Sequence, residues 1–124
     1  MTEDLKLGLI GQIARRVQNI ETATIFFRDT LGLPHLYSYG PLAFFNAGGV
    51  RLFLQEGEGH IENSILYFRV DDIHAAAAAL KARGVVFIDE PHLIHRHPDG
   101  VEEWMTFFKD PGGEPLALMS QIRP

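Results

Sequence analysis

Apolar positions along the chain alternate between two periods, and the alternation itself is repeated. Residues 7–17 read as a strand, after which Ile20, Ala23, Phe27 and Leu31 fall on one helical stripe that stops at Gly32. Asn19 stands where an N-cap side chain accepts a backbone N–H, and Gly32 supplies the left-handed residue that ends a helix. Three short strands then fit residues 34–39, 42–46 and 50–55, separated by Gly40-Pro41 and Ala47-Gly48-Gly49. Beyond the polar, glycine-bearing stretch Glu56-Gly57-Glu58-Gly59-His60 the order returns. A strand over 64–70 leads to Asp72 as cap, a helix carries Ile73, Ala76 and Leu80, and Gly84 ends it. Strands near 85–88, 101–108 and 114–120 follow, with His97-Pro98-Asp99-Gly100 and Asp110-Pro111-Gly112-Gly113 as turns.

The recurrence reaches the residues themselves. Arg16-Val17-Gln18-Asn19-Ile20 followed by Ala23 returns as Arg69-Val70-Asp71-Asp72-Ile73 followed by Ala76, and Phe44-Phe45 near the end of one half matches Phe107-Phe108 near the end of the other. This predicts an α+β fold of two βαβββ modules forming a cupped mixed sheet with helices on the outer face. The domain expectation is one domain over 1–124, with modules at 7–55 and 63–121 joined by a linker at 56–62.

Because successive strand side chains face opposite ways, each strand gives one set to its helix and the other to the open side. Leu66, Phe68 and Val70 form the apolar set for the helix, leaving Ile65, Tyr67 and Arg69 open; by the repeat, Gln12, Ala14 and Arg16 are open in the first half. In the closing strands Leu52, Leu54, Leu116 and Leu118 take the helix side, while Arg51, Phe53, Gln55, Pro115, Ala117 and Met119 take the open side.

Composition narrows the function classes. The 124 residues are 46% apolar with nine Phe, enough to bury a core, and the absence of cysteine removes disulfides, thiolate metal sites and thiol nucleophiles. A formal charge of −5 with acidic and basic residues interspersed offers no basic stripe for nucleic acid. The N-terminus carries no signal-like pattern and no apolar run is long enough for a bilayer, so the expectation is a soluble, unprocessed, cytoplasmic protein that engages no membrane.

Paired βαβββ modules, the Val70-Asp71-Asp72-Ile73 junction and a late aromatic strand ending in Asp110-Pro111-Gly112-Gly113 resemble the vicinal oxygen chelate superfamily. That superfamily includes glyoxalase I, extradiol dioxygenases, methylmalonyl-CoA epimerase, fosfomycin-resistance enzymes and bleomycin-resistance proteins. The resemblance spans roughly residues 7–121. It implies four open-face ligand positions, one on the first and last strand of each module, converging on a divalent cation. Those positions carry Gln12, Phe53, Ile65 and Ala117, of which only Gln12 has a donor atom. The expectation is therefore no metal and no cofactor, and a cup that holds a small organic molecule, as the bleomycin-resistance members do.

Gln12, Arg16, Phe53, Ile65, Tyr67, Arg69, Trp104, Ala117 and Met119 are the candidate ligand-binding residues. Gln12 either bonds a ligand or is satisfied by a neighbouring strand. Arg16 and Arg69 either clamp a carboxylate or pair at a rim, and Trp104 either stacks on a ligand at the cup wall or fills the core. Tyr37 and Tyr39 contribute from a strand whose facing the pattern leaves open. His92, His95 and His97 are the densest histidine group; alternation turns His95 and His97 the same way, and His95 is the candidate general base. The reading is thus a small-molecule binder of this superfamily, with a lyase, isomerase or dioxygenase using a displaced metal or a histidine acid–base as the alternative. Homodimerisation is expected because the modules expose sheet edges.

Overall fold

A computed structural model describes residues 5–59 and 62–124. His60 and Ile61 of the expected linker, and the four N-terminal residues on which the reading of an unprocessed N-terminus rests in part, lie outside the described residues. The fold is α+β and divides after Gly59 into two compact units.

In the first unit, strand β1 (Gln12–Val17) leads into helix α1 (Ile20–Ile25), and β2 (His35–Tyr39), β3 (Leu42–Ala47) and β4 (Val50–Glu56) follow. The sheet order is β1-β4-β3-β2, with β1 parallel to β4 and the other pairs antiparallel. A parallel pair cannot be joined by a tight hairpin, so the chain crosses over through α1, which packs against β3 and β4. Asn19 accepts the Thr22 N–H at 2.9 Å, as its cap position predicts. The helix closes in a π-helical turn, Phe26–Thr30, in which the Leu31 N–H reaches the Phe26 carbonyl. Phe26 and Phe27 are both buried, and Phe27 meets Phe45 from the sheet at 6.0 Å between ring centres. Gly32 then takes φ 76° and turns the chain out of the helix.

The second unit repeats the plan with β5 (Tyr67–Arg69), α2 (Ile73–Ala82), β6 (His92–Arg96), β7 (Glu102–Lys109) and β8 (Pro115–Ile122), in the order β5-β8-β7-β6. Asp72 caps α2 by accepting the Ala75 N–H at 3.0 Å. Ile73, Phe108, Leu116 and Leu118 are buried on the helix side of the sheet. The alanine run of α2 lets the helix lie against β7 and β8, with Ala77 buried.

Three strand boundaries differ from the expectation. β1 starts at Gln12 rather than at residue 7, and Leu7 and Leu9 are 86% and 98% exposed. A strand needs a neighbour, and the partner β4 begins only at Val50, beside the Gly11 carbonyl that accepts the Arg51 N–H. In the same way β5 is shorter than 64–70, with Ile65 lying before it. Residues 85–88 make only the single bridge Phe87 to Phe108, and the edge strand is instead His92–Arg96. Asp89 causes the break, because its carboxylate accepts the Phe107 N–H at 2.9 Å and the Thr106 hydroxyl at 2.8 Å in place of a strand carbonyl.

Asp110 explains the Asp-Pro-Gly-Gly turn. Its Oδ1 accepts the N–H groups of Gly112 and Glu114, each at 2.9 Å, and the side chain is buried. Removing a buried acceptor leaves its donors to be satisfied elsewhere, at a cost of about 1–3 kcal/mol. Asp110→Ala is therefore expected to lower unfolding free energy by about that amount in urea denaturation, and Asp110→Asn, which keeps the acceptor, by less. Equal losses for the two would contradict this role.

Candidate functional site

The face of the first sheet away from its helix carries a continuous aromatic row. Registers Ala14 to Phe53, Phe53 to Phe44 and Phe44 to Tyr37 set one side chain from each strand in line. Phe53 stacks on Phe44 at 5.1 Å and 15°, Phe44 on Tyr37 at 4.5 Å and 23°, and Tyr39 lies parallel to Tyr37 at 6.3 Å. Neighbouring strands stand about 4.8 Å apart, which is the spacing at which rings on adjacent strands stack. The pattern left the facing of Tyr37 and Tyr39 open; both join this row.

One register step away, Gln12 lies opposite Arg51. The Arg51 Nε–H donates to Gln12 Oε1 at 2.7 Å, and the guanidinium carbon sits 5.6 Å from the centre of the Phe44 ring. The Gln12 amide is thus satisfied by the neighbouring strand through its oxygen. Arg16 stands at the other end of β1 on this face, opposite Gln55. Its guanidinium lies across Gly57, where a Cβ would come within 2.2 Å of Nε. Gly57 also donates its N–H to the Val17 carbonyl, so it extends the sheet besides standing in the expected linker.

The corresponding face of the second unit carries Tyr67 and Arg69 on β5, Ala117 and Met119 on β8, and Glu103, Met105 and Phe107 on β7. Tyr67 and Phe107 meet edge to face at 5.8 Å across the buried Ala117. Glu103 Oε2 lies 2.8 Å from His97 Nε2 and accepts the Gln121 amide at 2.8 Å. The His97 bond, then Gln121, with a further contribution from the charge of Arg69, hold the Glu103 carboxyl below the usual carboxylate range. His95 and His97 do face the same way, their rings meeting edge on at 4.7 Å. His92 lies opposite Met105 and bonds the Glu90 carbonyl.

Trp104 does not stand on this face. Its partner across the ladder is Ser120, on the helix side, where its ring meets His74 of α2 at 5.3 Å and its Nε1–H donates to Glu102. Phe44-Phe45 aligns with Phe107-Phe108, and Trp104 is an odd number of residues before Phe107, so a count of alternation from the repeat places it opposite. Glu103, Gln121 and Arg51 were absent from the candidate residues; the same alternation marks all three, and only their pairing partners needed the structure.

The four positions that the resemblance implies for metal ligands carry Gln12, Phe53, Ile65 and Ala117. These residues do not fit a dication. Three are hydrocarbon, and the one oxygen, Gln12 Oε1, already accepts from a guanidinium whose positive charge opposes a second cation beside it. Among the described residues, no three His, Asp or Glu side chains are grouped so as to hold a metal ion.

The profile of the Glyoxalase/Bleomycin resistance protein/Dioxygenase superfamily matches residues 9–118. The chain belongs to that superfamily. Its fold is that of a lactoylglutathione lyase from Agrobacterium tumefaciens, with a TM-score of 0.73 at 21% identity over 93% of this chain and 95% of the other. A superfamily member from Sphaerobacter thermophilus gives 0.72 at 22% identity, over 94% and 99%. An integron cassette protein from the mobile metagenome of Vibrio cholerae gives 0.74 at 18%, over 95% and 98%. No curated protein matches the chain. Among the described residues no helix is long and apolar enough to cross a membrane.

Because the folded Glu103 carboxyl titrates below its unfolded value, its bonds stabilise the fold above the ordinary carboxylate range and are lost as pH falls through the lowered value. Glu103→Gln is expected to lower the urea midpoint at pH 7 and to close that gap as the pH approaches 3. A gap that persists unchanged into acid would contradict the assignment.

Proposed function

We propose that this protein binds a small, partly aromatic organic molecule on the helix-free face of its first unit, without the superfamily's dication. The observation that carries this reading is the row of Phe53, Phe44 and Tyr37, stacked on a face that carries no helix and ends at the exposed Ala14. Phe44 is buried within the row, so Phe53 and Tyr37 are the rings a ligand can reach, and rings aligned on a rigid sheet give contact area at little cost in side-chain entropy. Each ring–ring contact adds about 0.5–1.5 kcal/mol beyond burial. In the second unit Tyr67, Phe107, Met105 and Met119 form an apolar surface of the same kind.

A second reading is supported by the His97 to Glu103 bond of 2.8 Å. A carboxylate that fixes one ring nitrogen leaves the other to accept or deliver a proton, as a lyase or isomerase would use it. On this reading His97, with Glu103 as its positioning residue, takes the part first given to His95. The further expectations of a homodimer in the cytoplasm rest on the exposed edge strand β6, with Leu93 and Ile94 about half-exposed, and on the cysteine-free sequence.

A set of small aromatic and aliphatic fragments titrated into ¹⁵N-labelled protein tests the proposal. Hits should shift amides of β1 and β4, and Phe53→Ala should weaken them about tenfold with its remaining amide map intact. Hits that leave both strands unmoved, or that bind Phe53→Ala equally well, would overturn it.

A further inference from the structure

Resting on that reading, we infer that the ligand of the first unit is a planar anion, held with its ring against Phe53 over Ala14 and its negative group at Arg51 and Gln12. Two independent features of the face lead there.

The first is a hydrogen-bond count. Gln12 Oε1 accepts from Arg51 Nε, so the amide oxygen is turned to the guanidinium and the NH₂ is turned away from it, toward a ligand. The terminal nitrogens of Arg51 are likewise donors only. Arg16, two register steps along β1, adds a second positive charge to the face. The strand positions on this face are Gln12, Ala14 and Arg16 on β1, Arg51, Phe53 and Gln55 on β4, Leu42, Phe44 and Asn46 on β3, and Tyr37 and Tyr39 on β2. They include two arginines and no carboxylate, in a protein whose formal charge is −5. At Gln12 and Arg51 a ligand meets donors, so acceptors are favoured there, and a formal negative charge over a neutral group.

The second feature is a gap in the row, visible because the chain contains its own comparison. In the second unit the equivalent row is Tyr67, Ala117 and Phe107, and the two rings close across the small residue, leaving Ala117 fully buried. In the first unit the small residue is at the end, on β1. Ala14 is exposed, and beside it Phe53 is only half-buried, with Phe44 stacked against it from β3. A flat ring standing over Ala14 would continue the Tyr37, Phe44 and Phe53 stack by one strand spacing, about 4.8 Å. Gln12 and Arg51 stand one register step along from that place, so a substituent on the ring meets donors there.

The test uses four probes on the ¹⁵N-labelled full chain at low salt: 2-naphthoate, neutral 2-naphthamide, the saturated decalin-2-carboxylate and 2-naphthylmethylammonium. We expect 2-naphthoate to shift the amides around Gln12 to Arg16 and Arg51 to Gln55, and to bind at least about tenfold more tightly than the other three. Ala14→Leu, at an exposed site that tolerates a larger side chain, should weaken naphthoate about tenfold, and Arg51→Gln should bring naphthoate and naphthamide level. Equal binding of naphthoate and naphthamide, stronger binding of the ammonium, or no effect of Ala14→Leu would each overturn the inference while leaving the fragment result above intact. If none of the four shifts this face although other fragments do, the inference falls alone; if the fragment set also fails, both fall together.

Discussion

β1 and β4 run parallel, with Gln12 beside Arg51, Ala14 beside Phe53 and Arg16 beside Gln55, and this register decides what the first unit presents. A parallel pair requires a crossover, so the helix capped by Asn19 has to lie on one face and leave the other without cover of its own. The period of two then assigns every strand residue to one face or the other. A slip by one residue would bring Leu52 and Leu54 out and bury Arg51 and Phe53, so the core of Phe27, Phe45, Leu52 and Leu54 enforces the geometry of the helix-free face. The second unit obeys the same constraint with Tyr67 beside Ala117 and Phe68 beside Leu118. Two units with one register, carrying different residues on it, act as controls for each other.

Much of this is legible in the sequence. Both helix caps, the glycine stops, the Asp110 turn and the facing of the first and last strands follow from local hydrogen-bonding chemistry and alternation, which need no knowledge of distant contacts. What was not legible depends on such contacts. The edge strand of the second unit falls at His92–Arg96 because the Asp89 carboxylate takes the backbone donor of Phe107, a side-chain interaction across the sheet. Trp104 faces its helix and not the open side, which alternation counted from Phe107 gives but resemblance of one aromatic strand to another does not. The partner of Gln12 was named only as a possibility, a neighbouring strand, because pairing β1 with β4 rather than with another strand is a matter of topology.

The comparison with the superfamily separates scaffold from chemistry. A fold shared at about one-fifth identity fixes where side chains can point and leaves open what they are. Here the positions that the resemblance implies for metal ligands are an amide, a phenyl ring and two alkyl groups, and the one side-chain oxygen among them accepts from Arg51. On the proposed reading, these residues change the sign of the preferred guest. A carboxylate at Phe53 would attract a dication, whereas a guanidinium bonded to Gln12 favours an anion at the same place.

The most direct measurement of that claim is a Mn²⁺ titration of ¹⁵N-labelled protein, followed by paramagnetic broadening of individual amides. With Gln12 Oε1 held by Arg51, the account predicts no selective broadening of Gln12, Arg51, Phe53 or Ala117 up to several equivalents of metal. Saturable broadening centred on Gln12 at one equivalent would contradict it.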